Sequence, residues 1–147
     1  LHRSTTYDPS FIQIIQGGTF FVEGFNIDQV PSFDPIPLEV NLPNLRGTIS
    51  MPRNEAPDTA TSGWFFNLQD DPRLDPGLFG DGYAVFGRVL GAGMTNVVDV
   101  LGSVPSYDAS GILGAPFAEL PLLEPALRPD TFLYVFNVDV VPFRVSE

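Results

Sequence analysis

A mainly β fold is the class this sequence predicts, an antiparallel barrel or sandwich, on three observations. The apolar runs are short and rich in β-branched and aromatic residues. Clusters of Gly, Pro, Asn and Asp separate them. Only the stretch from Thr95 to Gly102 has convincing helical spacing. Short strands punctuated by turns, with so little helix, suit sheets that close or stack on themselves.

Taken in order, the chain opens with a polar insertion, Thr5 to Ser10, before the run Phe11-Ile12-Gln13-Ile14-Ile15. That run is short and β-branched, which favours a strand. Gly17-Gly18 then marks a turn or bulge, and Thr19 to Val22 a second strand. From Phe25 to Asn44, Pro31, Pro35, Pro37 and Pro43 each remove a ladder donor and fix φ. A long surface loop is expected there, with one short extended piece at Leu38 to Leu42. Thr48 to Met51 reads as the next strand, and Pro52 to Ser62 as a polar crossing. Trp64-Phe65-Phe66 follows as a strand that turns Trp64 and Phe66 to one face and Phe65 to the other.

Gln69 to Gly82 carries turn signals throughout, in Asp70-Asp71-Pro72, Asp75-Pro76-Gly77 and Gly80-Asp81-Gly82. Tyr83 to Val89 returns to a strand. In the helix, Val97, Val98 and Leu101 stand at i, i+1 and i+4, with Thr95 as N-cap and Gly102 as stop. Ser103 to Asp130 reads as loop, interrupted by Pro105, Pro116, Pro121, Pro125 and Pro129. Phe132 to Val141 reads as a long last strand, with Phe132, Tyr134, Phe136, Val138 and Val140 on one face.

At 147 residues the chain is one domain's worth, and no repeat or linker divides residues 1–147. The formal charge is −11, and all seven basic residues are Arg. Nucleic acid and anionic membrane surfaces are disfavoured partners, since both need a basic face. No apolar run approaches the roughly 20 residues that cross a bilayer. Without Cys there is neither a disulfide framework nor a thiolate metal site, a composition compatible with the cytosol and with export. Gly91-Ala92-Gly93 lacks the third glycine of a dinucleotide loop, and no Walker lysine exists. Asp70, Asp71, Asp75 and Asp81 lack calcium-loop spacing. No cofactor and no metal is therefore expected. His2, the only His, has no visible nucleophile or second ligand beside it and reads as structural.

Three ordered blocks carry a resemblance. Gly47-Thr48, Met51-Pro52 and Thr61-Ser62-Gly63-Trp64-Phe65-Phe66-Asn67 follow the pattern G-T-x-x-M-A … T-S-Q-[FW]-F-I-N. Gly82-Tyr83-Ala84-Val85-Phe86-Gly87-Arg88-Val89 follows G-Y-A-V-F-G-[KR]-V, and Leu1-His2-Arg3-Ser4 with Gln16-Gly17-Gly18 follows F-H-R-S … Q-G-G. Together they cover most of Leu1 to Val104, and the chain resembles the cyclophilin-type peptidyl-prolyl isomerases of bacterial type. The resemblance selects a closed antiparallel barrel with one or two capping helices. It also implies two strands and a helix ahead of the first block, so an N-terminally incomplete domain is expected.

The activity that the resemblance implies is rotation about X-Pro bonds in peptides and unfolded segments, by a monomer. An alternative is a module of the same fold that binds such segments without turning them over. Arg3 is the implied catalytic cation, a guanidinium that stays charged and offers a rigid fork of donors. Gln16 matches the glutamine that binds substrate or steadies the cation. Ile14, Phe65 and Leu74 match the lining of the proline pocket, and Tyr83 its rim. Arg53 falls where a backbone group binds the peptide.

Several departures from the pattern bear on the site. The Arg3–Gln16 spacing is longer, Gln13 stands where a pocket Phe is expected, with Phe11 as its substitute, Gly63 replaces the glutamine of T-S-Q, and Arg73 stands where an aromatic often precedes Leu74-Asp75.

Overall fold

The computed structural model describes residues 1–6, 11–24, 26–77 and 80–141. Tyr7 to Ser10 of the polar insertion, the first residue of the Phe25–Asn44 loop, and Leu78-Phe79 within the Gln69–Gly82 turns lie outside them. The architecture is mainly β, with little helix. Strands β1 (Arg3–Ser4), β2 (Ile14–Gly17), β5 (Thr48–Ser50), β6 (Trp64–Asn67) and β7 (Val85–Arg88) form one antiparallel sheet in the order β1-β2-β6-β5-β7. Between β2 and β5 in the chain, β3 (Phe20–Glu23) and β4 (Asn26–Gln29) make a separate hairpin.

The period-two reading of Trp64-Phe65-Phe66 holds. Phe65 is buried on one face, while Trp64 and Phe66 pack edge to face on the other, 5.2 Å apart. Close approach of the indole explains the two glycines after Gln16. A Cβ at Gly17 would lie 2.8 Å from the Trp64 ring, and one at Gly18, whose φ is +80°, 2.6 Å from it. Only Gly meets both demands without strain.

The helix begins at Met94 rather than at Thr95. A wider π-type stretch, Met94–Val98, runs into α1 (Asp99–Gly102), and the Thr95 hydroxyl bonds back to the Ala92 carbonyl instead of capping. Gly102 does end the helix, and the Ser103 N–H closes onto the Asp99 carbonyl. A Cβ on Gly102 would meet Leu68 at 3.1 Å and Ile15 at 3.4 Å, so α1 packs on the face of the sheet opposite Phe65.

Three expectations are corrected. Asn26–Gln29 is not loop: it pairs residue by residue with β3, from Glu23↔Asn26 to Phe20↔Gln29. Short, polar Asn-Ile-Asp-Gln has little strand signal of its own, and its partner supplies the ladder. The stretch Ser103 to Asp130 is likewise structured. Strands β8 (Ser106–Tyr107) and β9 (Leu120–Pro121) pair, α2 (Ser110–Leu113) lies between them, and Ala109, Phe117, Leu120 and Leu122 form a buried core. Conversely, Phe132 to Val141 is not a long strand. Phe132 makes a single bridge to Leu122, and Phe136 and Val140 are 91% and 85% exposed. An alternating pattern gives a strand only where a neighbour offers its N–H and C=O groups. No helix among the described residues is long and apolar enough to cross a membrane.

Candidate active site

Strand register places the predicted cation, amide and ring in one row. Arg3 lies opposite Gln16, Gln16 opposite Phe65, Phe65 opposite Ser50, and Ser50 opposite Val85. Directly opposed residues of antiparallel strands present their side chains on the same face, with Cβ atoms about 4.5–5.5 Å apart. Alternation adds Ile14 to that face, two residues before Gln16.

The apolar part is a cluster of Ile14, Phe65 and Leu74, all buried, with Ile12 and Tyr83 packed against it. The Tyr83 ring meets Phe65 edge-on at 5.7 Å, and its N–H donates to the Leu74 carbonyl at 2.9 Å. Leu74 sits on a 3-10 turn, Pro72–Leu74, that the local sequence encodes: Asp71 caps it by accepting from the Arg73 N–H, and Pro72 follows at the first helical position. Arg73 closes this cap with its guanidinium, at 2.7 Å from the buried Asp71 carboxylate.

The structure does not bring Phe11 to the cluster. Phe11 is 64% exposed, and its neighbour Ile12 packs against the cluster instead. The Arg53 side chain is engaged within the chain. Its Nε donates to the Gly82 carbonyl, Nη1 donates to the carbonyls of Asn54 and Glu55, and the guanidinium lies 5.0 Å above the Tyr83 ring.

A concavity of about 300 Å³ is lined by His2, Arg3, Gln16, Ala115, Pro116, Ala118 and Glu119, with Gln16 the cross-strand partner of Phe65. Arg3 Nε donates to Glu119 Oε2 across it, at 2.6 Å. His2 is buried, edge-on to Phe20 and Phe117, at ring separations of 5.0 and 6.3 Å. Burial above all lowers its pKa to about 4, so at neutral pH it packs as an uncharged ring.

Sequence reasoning missed three contributors. Asn44, 1% exposed, donates from Nδ2 to the carbonyls of Leu74 and Tyr83 and to Asp75 Oδ1, and its Oδ1 accepts from Ser50 and Asn67. It ties two lining positions of the cluster to β5 and β6. Glu119 lies 116 positions from the cation it pairs with. Pro52 fills the space beside Gly63, where a Cβ would come within 2.7 Å of the ring. Nothing local in the sequence announces any of the three.

Comparison with known proteins gives a family-model match, cyclophilin type peptidyl-prolyl cis-trans isomerase/CLD, over residues 4–113. A peptidyl-prolyl cis-trans isomerase of Acinetobacter baylyi is 41% identical over 100 residues, which cover 67% of this chain and 50% of the relative. Peptidyl-prolyl cis-trans isomerase A of Dickeya dadantii is 43% identical over 84 residues, 56% of this chain and 42% of the relative. Peptidyl-prolyl cis-trans isomerase B of Escherichia coli is 40% identical over 82 residues, 52% of this chain and 48% of the relative. The chain thus spans about half the length of the curated relatives it matches.

Proposed function

The chain belongs to the cyclophilin-type peptidyl-prolyl cis-trans isomerases, and from that premise we propose that its protein accelerates rotation about X-Pro bonds in peptides and unfolded segments. Resonance between the prolyl nitrogen and the carbonyl sets a barrier of ~20 kcal/mol, and exchange unaided takes tens of seconds. As the bond twists, the nitrogen regains a lone pair. A donor that bonds this lone pair only in the twisted state lowers the barrier selectively.

Arg3 is that donor in our reading. Gln16 orients the peptide beside it, while Ile14, Phe65, Leu74 and Tyr83 receive the pyrrolidine ring, and the Arg53 backbone binds the peptide chain. The observation that carries the reading is the cross-strand row Arg3–Gln16–Phe65, flanked by the one cluster that holds Ile14, Leu74 and Tyr83. Neither metal nor covalent nucleophile enters the scheme.

The same reading takes the five-stranded sheet as part of a closed antiparallel barrel, in a single domain acting as a monomer. All-antiparallel pairing supports it, as does the register shift between Ile49 and Ser50, since a bulge curls a sheet. A charge of −11 favours peptide partners over nucleic acid.

Exchange NMR on a proline-containing peptide with the full-length protein tests the proposal. Acceleration is expected, and Arg3→Ala should remove most of it. A folded protein that binds the peptide without speeding exchange would be a binding module, and the proposal would fall.

A further inference from the structure

A donor that acts on a lone pair must be held still, and Arg3 by itself is poorly placed for that. It stands on a two-residue strand, β1, with its side chain 46% exposed. A free arginine side chain carries about 2 kcal/mol of rotamer entropy. Errors of ~1 Å in the placement of a reacting group cost about a hundredfold in rate.

Glu119 meets this need from a part of the chain beyond residues 4–113 of the family match. Its backbone is fastened to β1 next to the cation, where the Ser4 N–H donates to the Glu119 carbonyl at 2.9 Å. Leu120, the next residue, is 1% exposed and belongs to the buried core with Ala109, Phe117 and Leu122. From the other side, the Ser106 hydroxyl donates to the Ser4 carbonyl at 2.8 Å, closing β8 and β9 onto β1. The carboxylate therefore springs from an anchored point. It is also the better sheltered of the pair, at 22% exposure.

Which nitrogen it binds is informative. The 2.6 Å bond engages Nε. A guanidinium has one N–H at Nε and four at its two Nη nitrogens. A carboxylate gripping the fork end-on would cover those outer donors. Gripped at Nε, the side chain is fixed along its length while the outer donors are left to the concavity that Arg3 and Gln16 line. We propose that Glu119 is a positioning residue for Arg3, which holds the guanidinium by its Nε–H so that the Nη donors face the prolyl nitrogen. The proposal rests on the isomerase reading above. It adds that the arm carrying Glu119 completes the site.

The test compares Glu119→Ala, which removes the acceptor, with Glu119→Gln, which keeps an acceptor oxygen in its place, both in the full-length protein. Exchange NMR over a range of peptide concentrations separates kcat from KM, and thermal melts check the fold. Glu119→Ala should lower kcat about tenfold with KM within twofold. Glu119→Gln should recover most of the loss. A merely structural role would move the melting temperature and spare this split. An undiminished or raised kcat in Glu119→Ala would overturn the inference, the latter by showing that the carboxylate competes with substrate for the cation. So would a Glu119→Gln variant no faster than Glu119→Ala. These outcomes are distinct from failure of the isomerase reading: in that case the unmodified protein itself accelerates nothing, and Arg3→Ala makes no difference.

Discussion

Replacing Gly63 with alanine adds one methyl group where the Pro52 ring already stands. The added Cβ would lie 2.7 Å from Pro52 Cγ and 3.1 Å from Thr19 Oγ1. Gly63 does not have positive φ, so the cost is one of space and not of backbone strain. Overpacking of this kind costs roughly 1–3 kcal/mol, while losing a glycine from the unfolded chain returns roughly 0.4–1 kcal/mol. A net loss of about 1–2 kcal/mol follows. Pro52→Ala would remove the opposing ring, so in that background Gly63→Ala should be close to neutral, with only the Thr19 contact still tight. The double-mutant cycle should then give a coupling of about 1–2 kcal/mol. Urea denaturation of the four proteins measures it. Additive effects would refute the steric account. The same geometry explains two departures from the family pattern together: Pro52 stands where the pattern has Ala, and Gly63 where it has Gln.

Two further outcomes follow from buried groups. Asn44→Ala strips partners from the Leu74 and Tyr83 carbonyls and from Ser50 and Asn67 in one step. A loss of about 3–4 kcal/mol in urea denaturation is expected, with a lower kcat/KM as the apolar cluster loosens, and a loss under about 1 kcal/mol would contradict the network. His2 binds a proton below pH 6.5 when unfolded but only below about 4 when folded. Stability should therefore be undiminished by this group above about pH 6.5 and fall progressively as pH drops toward 4. His2→Leu should flatten the slope of urea midpoint against pH in that window, and an unchanged slope would show that the ring is charged in the fold.

Part of the candidate site's arrangement was legible from short stretches. Alternation in Trp64-Phe65-Phe66 assigned Phe65 its own face, Asp71-Pro72 announced a turn under Leu74, and the motif blocks named Arg3, Gln16 and Tyr83. Phe11 misled because an aromatic in an apolar run suits core and surface alike, and Ile12 has as good a claim.

The amino-acid order alone determined what a few neighbouring residues can settle: where strands alternate, where turns break them, and which family the motifs resemble. Only the folded chain decided that Asn26–Gln29 finds a ladder and Phe132 to Val141 does not, that Asn44 bridges Leu74 to Tyr83, and that Glu119 reaches Arg3. The physical reason is distance along the chain. Backbone preference acts over a turn or a strand, whereas a ladder or an ion pair needs both partners in place, and partners 116 residues apart meet only when the core between them has formed.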